Sequence, residues 1–221
     1  MYGVFDIVGP IMIGPSSSHT AGAARLGKMA RIILGEEPVE ARIELHGSFA
    51  HTYKGHGTDK ALVAGLLGFA TDDVQLRKAL DIADKRGLRV SFAAVDLGNV
   101  HPNTVAMNLT GQSGRTTRLV GASVGGGNIL ITEIDGYAVK LTGEYAAMIV
   151  VYQDKPGIIS LVTGALAQEF VNIAFMRVSR QERGALALMI IETDETISPE
   201  ALQLVSGIDG IQEAFLIPPI Q

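Results

Sequence analysis

The chain has 221 residues, of which 47% are hydrophobic, and its mean hydropathy is +0.28. Its 23 acidic and 18 basic residues give a net charge of −5, which argues against a nucleic-acid-binding surface. No apolar run approaches the length that crosses a bilayer, and the lack of cysteine excludes disulfides, thiol catalysis and thiolate metal sites within the chain.

The first residues carry no basic segment ahead of an apolar one, so we expect no signal peptide and a cytoplasmic location. The first half then mixes helices with strands. Hydrophobic periodicity and glycine or asparagine breaks set the boundaries. They predict helices over 21–34, 60–69 and 72–85, a polar loop over 48–59, and strands over 39–45, 90–95, 105–109, 115–123, 129–134 and 137–141.

The second half is more acidic, with nine acids against four bases from Met148 onward. Strands are predicted over 146–152, 173–178, 186–191 and 211–217, and helices over 158–170 and 198–205 with Ser198 as N-cap. The order βαββαβ is typical of a ferredoxin-like sandwich. The chain is therefore predicted to be α+β, with a mixed α/β domain over 1–145 and a ferredoxin-like domain over 146–221.

A hydroxyl-rich segment lies between a Gly-Pro turn and the first helix. It contains Ser16, Ser17, Ser18, His19 and Thr20. Free amides and the dipole at a helix N-terminus favour an anion such as a carboxylate or phosphate. A plain N-cap is the structural alternative, but a cap needs only one hydroxyl. We therefore favour a binding site at this segment.

Three of the five histidines, namely His19, His56 and His101, are predicted to lie in or beside glycine-rich loops. Glycine lets a ligand approach the backbone, and imidazole suits proton transfer near neutral pH. Each one alone is equally well explained as a surface or capping residue. His46 and His51 flank a strand end, but no HExxH-type spacing occurs, so no metal site is predicted.

Two further segments are open to more than one interpretation. The glycines within 121–128 fit no nucleotide-binding motif, so they form either a linker between strands or a nest that faces a substrate. The turn over 154–157 precedes a helix in the βαββαβ unit. It either holds a small amino acid or belongs to a purely structural module.

The segments IGPSSSHTAGAARLG, HGSFAHTYKGHGTDKA, NVHPNT and ASVGGGNI resemble, in this order, the beta chain of the bacterial iron–sulfur-dependent L-serine dehydratases. From about residue 148 the chain resembles an ACT domain, through DKPGIISLVTGAL and VNIAFM. The resemblance covers essentially the whole chain. It implies conversion of L-serine to pyruvate and ammonia, without pyridoxal phosphate, by loss of water from an iron-activated hydroxyl.

The family's 4Fe-4S cluster needs cysteine ligands, so the resemblance implies that a separate alpha chain carries it. His56 is then the leading candidate for the base that removes the α-proton, and His19 and His101 are further catalytic candidates. The hydroxyl-rich segment would hold the substrate carboxylate or orient the base. Candidate substrate- or anion-binding residues are Ser16, Ser17, Ser18, Thr20, Gly57, Thr58 and Asn103.

A regulatory function without catalytic residues is the alternative. The first domain also resembles the allosteric substrate-binding domains of some phosphoglycerate dehydrogenases, where an anion is bound but not transformed. The ACT domain would bind an amino-acid effector, or would only mediate self-association by strand addition. Candidate effector residues are Asp154, Pro156, Gly157, Ile158 and Asn172. No nucleic-acid or membrane partner is expected.

Overall fold

The computed structural model describes residues 11–14 and 16–220. Pro15 of the Gly-Pro turn and the first ten residues lie outside the described part. The chain divides into two compact units, one up to Asp135 and one from Gly136 onward. The domain boundary that the sequence places at 145/146 stays a prediction. No helix in the described residues is long and apolar enough to cross a membrane.

The first unit mixes helices with a twisted sheet whose strands run in the order β2-β1-β3-β4-β5. Strand β1 is parallel to β2 and antiparallel to β3, and the remaining pairs are antiparallel. The elements are a π-helical turn Ser17–Gly22, α1 (Ala23–Leu34), β1 (Pro38–Leu45), α2 (Gly47–His56), α3 (Thr58–Leu66), a 3₁₀ turn Val74–Lys78, α4 (Ala79–Lys85), β2 (Arg89–Ala94), β3 (Thr104–Gly111), β4 (Thr116–Gly125) and β5 (Asn128–Ile134).

Helix α1 packs closely against α3. Leu26, Met29 and Ile33 recur at spacings of three and four residues and are buried, which confirms the predicted amphipathic helix. The backbones of the two helices meet at Gly27 and Gly65. A Cβ atom on Gly65 would lie 2.0 Å from the Ala24 carbonyl oxygen, so the contact requires glycine.

The prediction of a polar loop over 48–59 is wrong. This segment forms α2 and the start of α3, which are joined by Gly57 in a left-handed conformation with a φ of 73°. Only Phe49 of α2 is buried, so the helix lacks the apolar stripe that periodicity detects. Its inward face is polar, and the sequence pattern therefore resembled that of a loop.

The second unit begins with β6 (Tyr137–Leu141), whose Ala138 carbonyl accepts a hydrogen bond from the Ser179 hydroxyl. The βαββαβ sandwich follows as β7 (Ala146–Gln153), α5 (Ile158–Gln168), β8 (Ile173–Arg180), β9 (Leu186–Thr193), α6 (Pro199–Ser206) and β10 (Ile211–Ile217). Its antiparallel sheet has the order β10-β7-β9-β8. The α+β fold and the ferredoxin-like order are confirmed.

Helices α5 and α6 cover one face of this sheet. Met148, Val150 and Ile191 belong to the core cluster on that face, together with Val162 of α5 and Val205 of α6. Ser198 caps α6 as predicted, since its hydroxyl accepts a hydrogen bond from the Ala201 amide at 3.0 Å. Because side chains alternate along a strand, the intervening strand residues lie on the face that the helices leave open.

Candidate active site

Ser16 organises the hydroxyl-rich segment. Its hydroxyl accepts a hydrogen bond from the His19 amide at 3.3 Å, and its carbonyl accepts one from the Thr20 amide at 2.8 Å. The N-cap that was the structural alternative to a binding site is therefore present. The turn that it caps is π-helical, however, and the His19 side chain lies within contact of Ser16. Ser17 and Ser18 lie half-buried at the start of the same turn.

The His19 imidazole lies between two serine hydroxyls. Its Nδ1 is 3.3 Å from Ser16 Oγ, and its Nε2 is 3.3 Å from Ser48 Oγ. The ring packs edge-on against Phe49, with ring centroids 5.3 Å apart. His19 is only 9% exposed, and the described contacts leave neither nitrogen free of a neighbouring hydroxyl.

His19 also contacts His56. The two ring centroids are 4.7 Å apart and the rings are nearly perpendicular, at 89°. Burial lowers the pKa of His19, and the neighbouring His56 lowers it further. Both effects favour the neutral form of His19. His56, the last residue of α2, is exposed and available to a ligand.

An open cavity of about 480 Å³ lies beside this histidine pair. His56, Gly57 and Thr20 line it, so three of the predicted site residues meet there. Three cationic side chains that the sequence interpretation did not single out, Lys54, Lys60 and Arg77, line it as well. A cavity with three cations and an accessible imidazole suits an anionic ligand such as a carboxylate.

Two buried hydroxyls near this cavity have no internal partner. Thr20 Oγ1 and Thr58 Oγ1 are buried without a hydrogen-bond partner among the described residues. Gly14 approaches Thr20 so closely that a Cβ atom there would lie 2.2 Å from Thr20 Oγ1. Buried hydroxyls are normally satisfied, so these two atoms are candidates to contact a ligand or ordered water.

The glycines after β4 form a turn between strands. All of Gly125, Gly126 and Gly127 have positive φ, and the Gly127 carbonyl accepts a hydrogen bond from Arg25 Nη1 at 2.9 Å. This contact anchors the turn to α1, and burial lowers the pKa of Arg25. The linker interpretation therefore accounts for the contacts observed at this turn.

His101 lies apart from the histidine pair. It is exposed in the loop before β3, where its Nδ1 accepts a hydrogen bond from the Asn103 amide at 3.1 Å. Asn103 donates through Nδ2 to the Ser123 carbonyl at 3.5 Å. The described contacts do not join either residue to His19 or His56. Their proposed roles therefore stay predictions.

The predicted effector residues of the second unit fall into two separate places. The Asp154 carboxylate accepts hydrogen bonds from the Gly184 amide at 3.2 Å and Arg180 at 2.9 Å, and these bonds lower its pKa. Asn172 instead donates to Asp194 at 2.6 Å. Asp154 follows Gln153, which pairs with Leu186 at the start of β9. Asn172 precedes Ile173, which pairs with Thr193 at the end of β9. The two places are therefore separated by the length of β9, about 20 Å.

Pro156, Gly157 and Ile158 belong to the Asp154 end of the sheet. Gly157 has a φ of 94° and is the N-cap of α5, and Ile158 is the first residue of that helix. Within one chain, Asn172 therefore does not join the other four predicted effector residues.

The burial of His19 predicts that the free energy of unfolding depends on pH. Its folded-state pKa lies below the ordinary value of 6.5, so the unfolded chain binds this proton first as the pH falls. We expect the free energy of unfolding to decrease as the pH falls from about 7 through the lowered pKa. Urea unfolding of the chain across this range measures the effect.

The variant His19→Asn should lose that component of the pH dependence, whereas the variant of an exposed histidine, His51→Asn, should keep it. A His19→Asn chain with the full pH dependence of the unsubstituted chain would contradict the assignment.

Comparisons with known proteins agree with the motif resemblance. A family model for the serine dehydratase beta chain matches residues 3–91, and one for the ACT domain matches residues 147–210. A protein of Bacillus subtilis named a probable L-serine dehydratase beta chain is 46% identical over 208 residues, which are 94% of each chain. The L-serine dehydratase beta chain of Peptoniphilus asaccharolyticus is 36% identical over 214 residues, or 96% of each chain.

Most of this chain is also similar to part of a different enzyme. The D-3-phosphoglycerate dehydrogenase of Archaeoglobus fulgidus is 27% identical over 198 residues, which are 88% of this chain but 37% of that protein. The two beta-chain relatives, in contrast, align over 94% and 96% of both chains at higher identity. The chain therefore belongs to the family of L-serine dehydratase beta chains, with an ACT domain in its second half.

Proposed function

We propose that this chain is the beta subunit of an L-serine dehydratase that works with an alpha chain. The reaction removes the α-proton and the β-hydroxyl of L-serine as water. The resulting enamine tautomerises to an imine, which hydrolyses to pyruvate and ammonia. The observation that carries the proposal is the His19–His56 pair beside a cavity lined by Lys54, Lys60 and Arg77.

The residues of this chain do not fit a 4Fe-4S cluster. The sequence has no cysteine, and among the described residues no three histidine, aspartate or glutamate side chains are grouped to hold a metal. We therefore assign the cluster to the alpha chain. A cytoplasmic location is also part of the proposal.

Within the histidine pair, His56 is the better candidate for the base. It is exposed and lines the cavity, whereas both nitrogens of His19 face serine hydroxyls. His19 is then a positioning residue, because its neutral ring packs against His56 without adding a second positive charge beside it. Ser16 and Ser48 fix the orientation of His19. This arrangement supports the view that the hydroxyl-rich segment orients the base.

The cations of the cavity are candidates to bind the substrate carboxylate. Lys60 follows Gly57 by three residues and lies in the first turn of α3, so one short segment supplies both the base and a cation. Thr20, which also lines the cavity, adds a buried hydroxyl. In this arrangement Ser17, Ser18, Thr58 and Asn103 stay proposed contacts for a bound substrate.

We expect Lys60→Gln to raise the KM for L-serine by about tenfold or more, because a charge-assisted contact to the carboxylate is lost. Steady-state kinetics of the reconstituted alpha–beta enzyme give KM and kcat separately. Lys85→Gln is the matched control, because it removes one exposed positive charge from α4, outside the cavity.

The beta-chain relatives support the catalytic function over the second candidate, a regulatory function without catalytic residues. Under that function Lys60→Gln would change only the response to an added amino acid or anion. Its KM and kcat for L-serine would then equal those of the Lys85→Gln control. The ACT domain is proposed to bind a small molecule and to mediate self-association.

A further inference from the structure

A second cavity, of about 350 Å³, lies within the second unit on the open face of its sheet. Phe175 and Arg177 of β8 and Ile190 and Glu192 of β9 line it, as does Tyr145, which precedes β7. None of these residues belongs to the predicted effector set. The volume falls within the range of pockets that hold small organic ligands.

The Glu192 carboxylate is the unusual group in this cavity. The residue is 8% exposed, and its Oε1 is buried with no hydrogen-bond partner among the described residues. Burial raises the pKa of Glu192, Glu144 raises it further, and Lys140 opposes both effects. A buried carboxylate oxygen that lacks a donor is costly, so a donor from a ligand would stabilise it.

The other side chains supply complementary chemistry. Arg177 is exposed and lines the same cavity, and a guanidinium binds carboxylates through two parallel hydrogen bonds. Phe175 is 57% exposed and packs edge-on against Tyr145, with ring centroids 5.5 Å apart. Ile190 adds an apolar surface between the two charged groups. Lys140 and Glu144 line the cavity as well, so it offers two carboxylates, two cations and an apolar wall.

We propose that this cavity binds an α-amino acid with a small apolar side chain. Its ammonium group would donate to Glu192, its carboxylate would accept from Arg177, and its side chain would pack against Phe175 and Tyr145. A ligand with both charges would contact Glu192 and Arg177 together, whereas a singly charged ligand would contact only one of them. This site is separate from the histidine pair and from the Asp154 turn.

Isothermal titration of the full chain tests the proposal. The probes are glycine, L-alanine and L-valine, each titrated separately; L-serine is left out because it is the proposed substrate of the first unit. We expect at least one probe to bind, and Glu192→Gln and Arg177→Met each to weaken that binding about tenfold or more. Glu200→Gln, an exposed glutamate on α6 outside the cavity, should bind as the unsubstituted chain does.

Two analogues of L-valine separate the contributions of the charges. Isovalerate lacks the ammonium group and isobutylamine lacks the carboxylate, so both should bind at least tenfold more weakly than L-valine. Absence of binding by all three amino acids at about 10 mM would overturn the proposal, as would an unchanged affinity of Glu192→Gln. Glu192→Gln removes a buried charge, so its thermal midpoint should equal or exceed that of the unsubstituted chain, which shows that it folds.

Discussion

Replacement of His56 by alanine is expected to lower kcat of the reconstituted alpha–beta enzyme by about 10²–10⁴-fold, the range for loss of a general base. The expectation follows from the exposure of His56 on the cavity and from its contact with the neutral ring of His19. The KM for L-serine should change little, because Lys54, Lys60 and Arg77 remain. Steady-state kinetics with saturating alpha chain measure both constants.

The chain offers a matched control for this substitution. His51 lies on the same helix, is exposed, and does not line the cavity, so His51→Ala should keep kcat within about twofold. Near-normal kcat in His56→Ala would refute the assignment of the base. We also expect His19→Asn to lower kcat strongly and to change the pH profile of kcat, because His19 positions the His56 ring.

Gly65→Ala is expected to destabilise the first unit by about 2 kcal/mol or more. The added Cβ would lie 2.0 Å from the Ala24 carbonyl oxygen and 2.6 Å from the Lys28 amide nitrogen, both on α1. Alanine favours a helix by about 1 kcal/mol over glycine, but overpacking costs about 1–3 kcal/mol and occasionally more. The steric effect should prevail because both contacted atoms belong to backbone, which cannot rotate away.

Urea unfolding of the variant measures this loss. Gly164→Ala is the control, because Gly164 is exposed on α5 and an added methyl group there would have no heavy atom within 4 Å. It should stabilise the second unit by about 0.5–1 kcal/mol. If Gly65→Ala did not lower the free energy of unfolding relative to Gly164→Ala, the result would contradict the close contact between α1 and α3.

The second unit was largely predictable from the sequence. The strands at 137–141 and 211–217 coincide with β6 and β10, and the cap at Ser198 is present. Strand β10 and helix α6 repeat apolar residues because one face of each packs against the core cluster of the sandwich. Pro199 at the start of α6, together with glycines in the left-handed conformation, then marks the ends of these elements.

The first unit was less predictable where polar residues form the interior. Helix α2 buries only Phe49, so its sequence has no apolar repeat that indicates a helix. Ser48 was missed for the same reason. Once the segment is helical, Ser48 and His56 lie eight residues apart, about two turns, and so share one face. The π-helical turn and the cations from three separate elements have no local signal, since they depend on how the chain folds back.

The single glycine between α2 and α3 has a consequence for protein engineering. Gly57 fixes the angle between the helix that ends in His56 and the helix that begins at Thr58 and carries Lys60. One residue inserted at this left-handed connection would change the path of the chain between the two helices, and so the position of Lys60 relative to His56. Chimeric beta chains should therefore exchange residues 47–66 as one block of fixed length, with crossover points placed outside it.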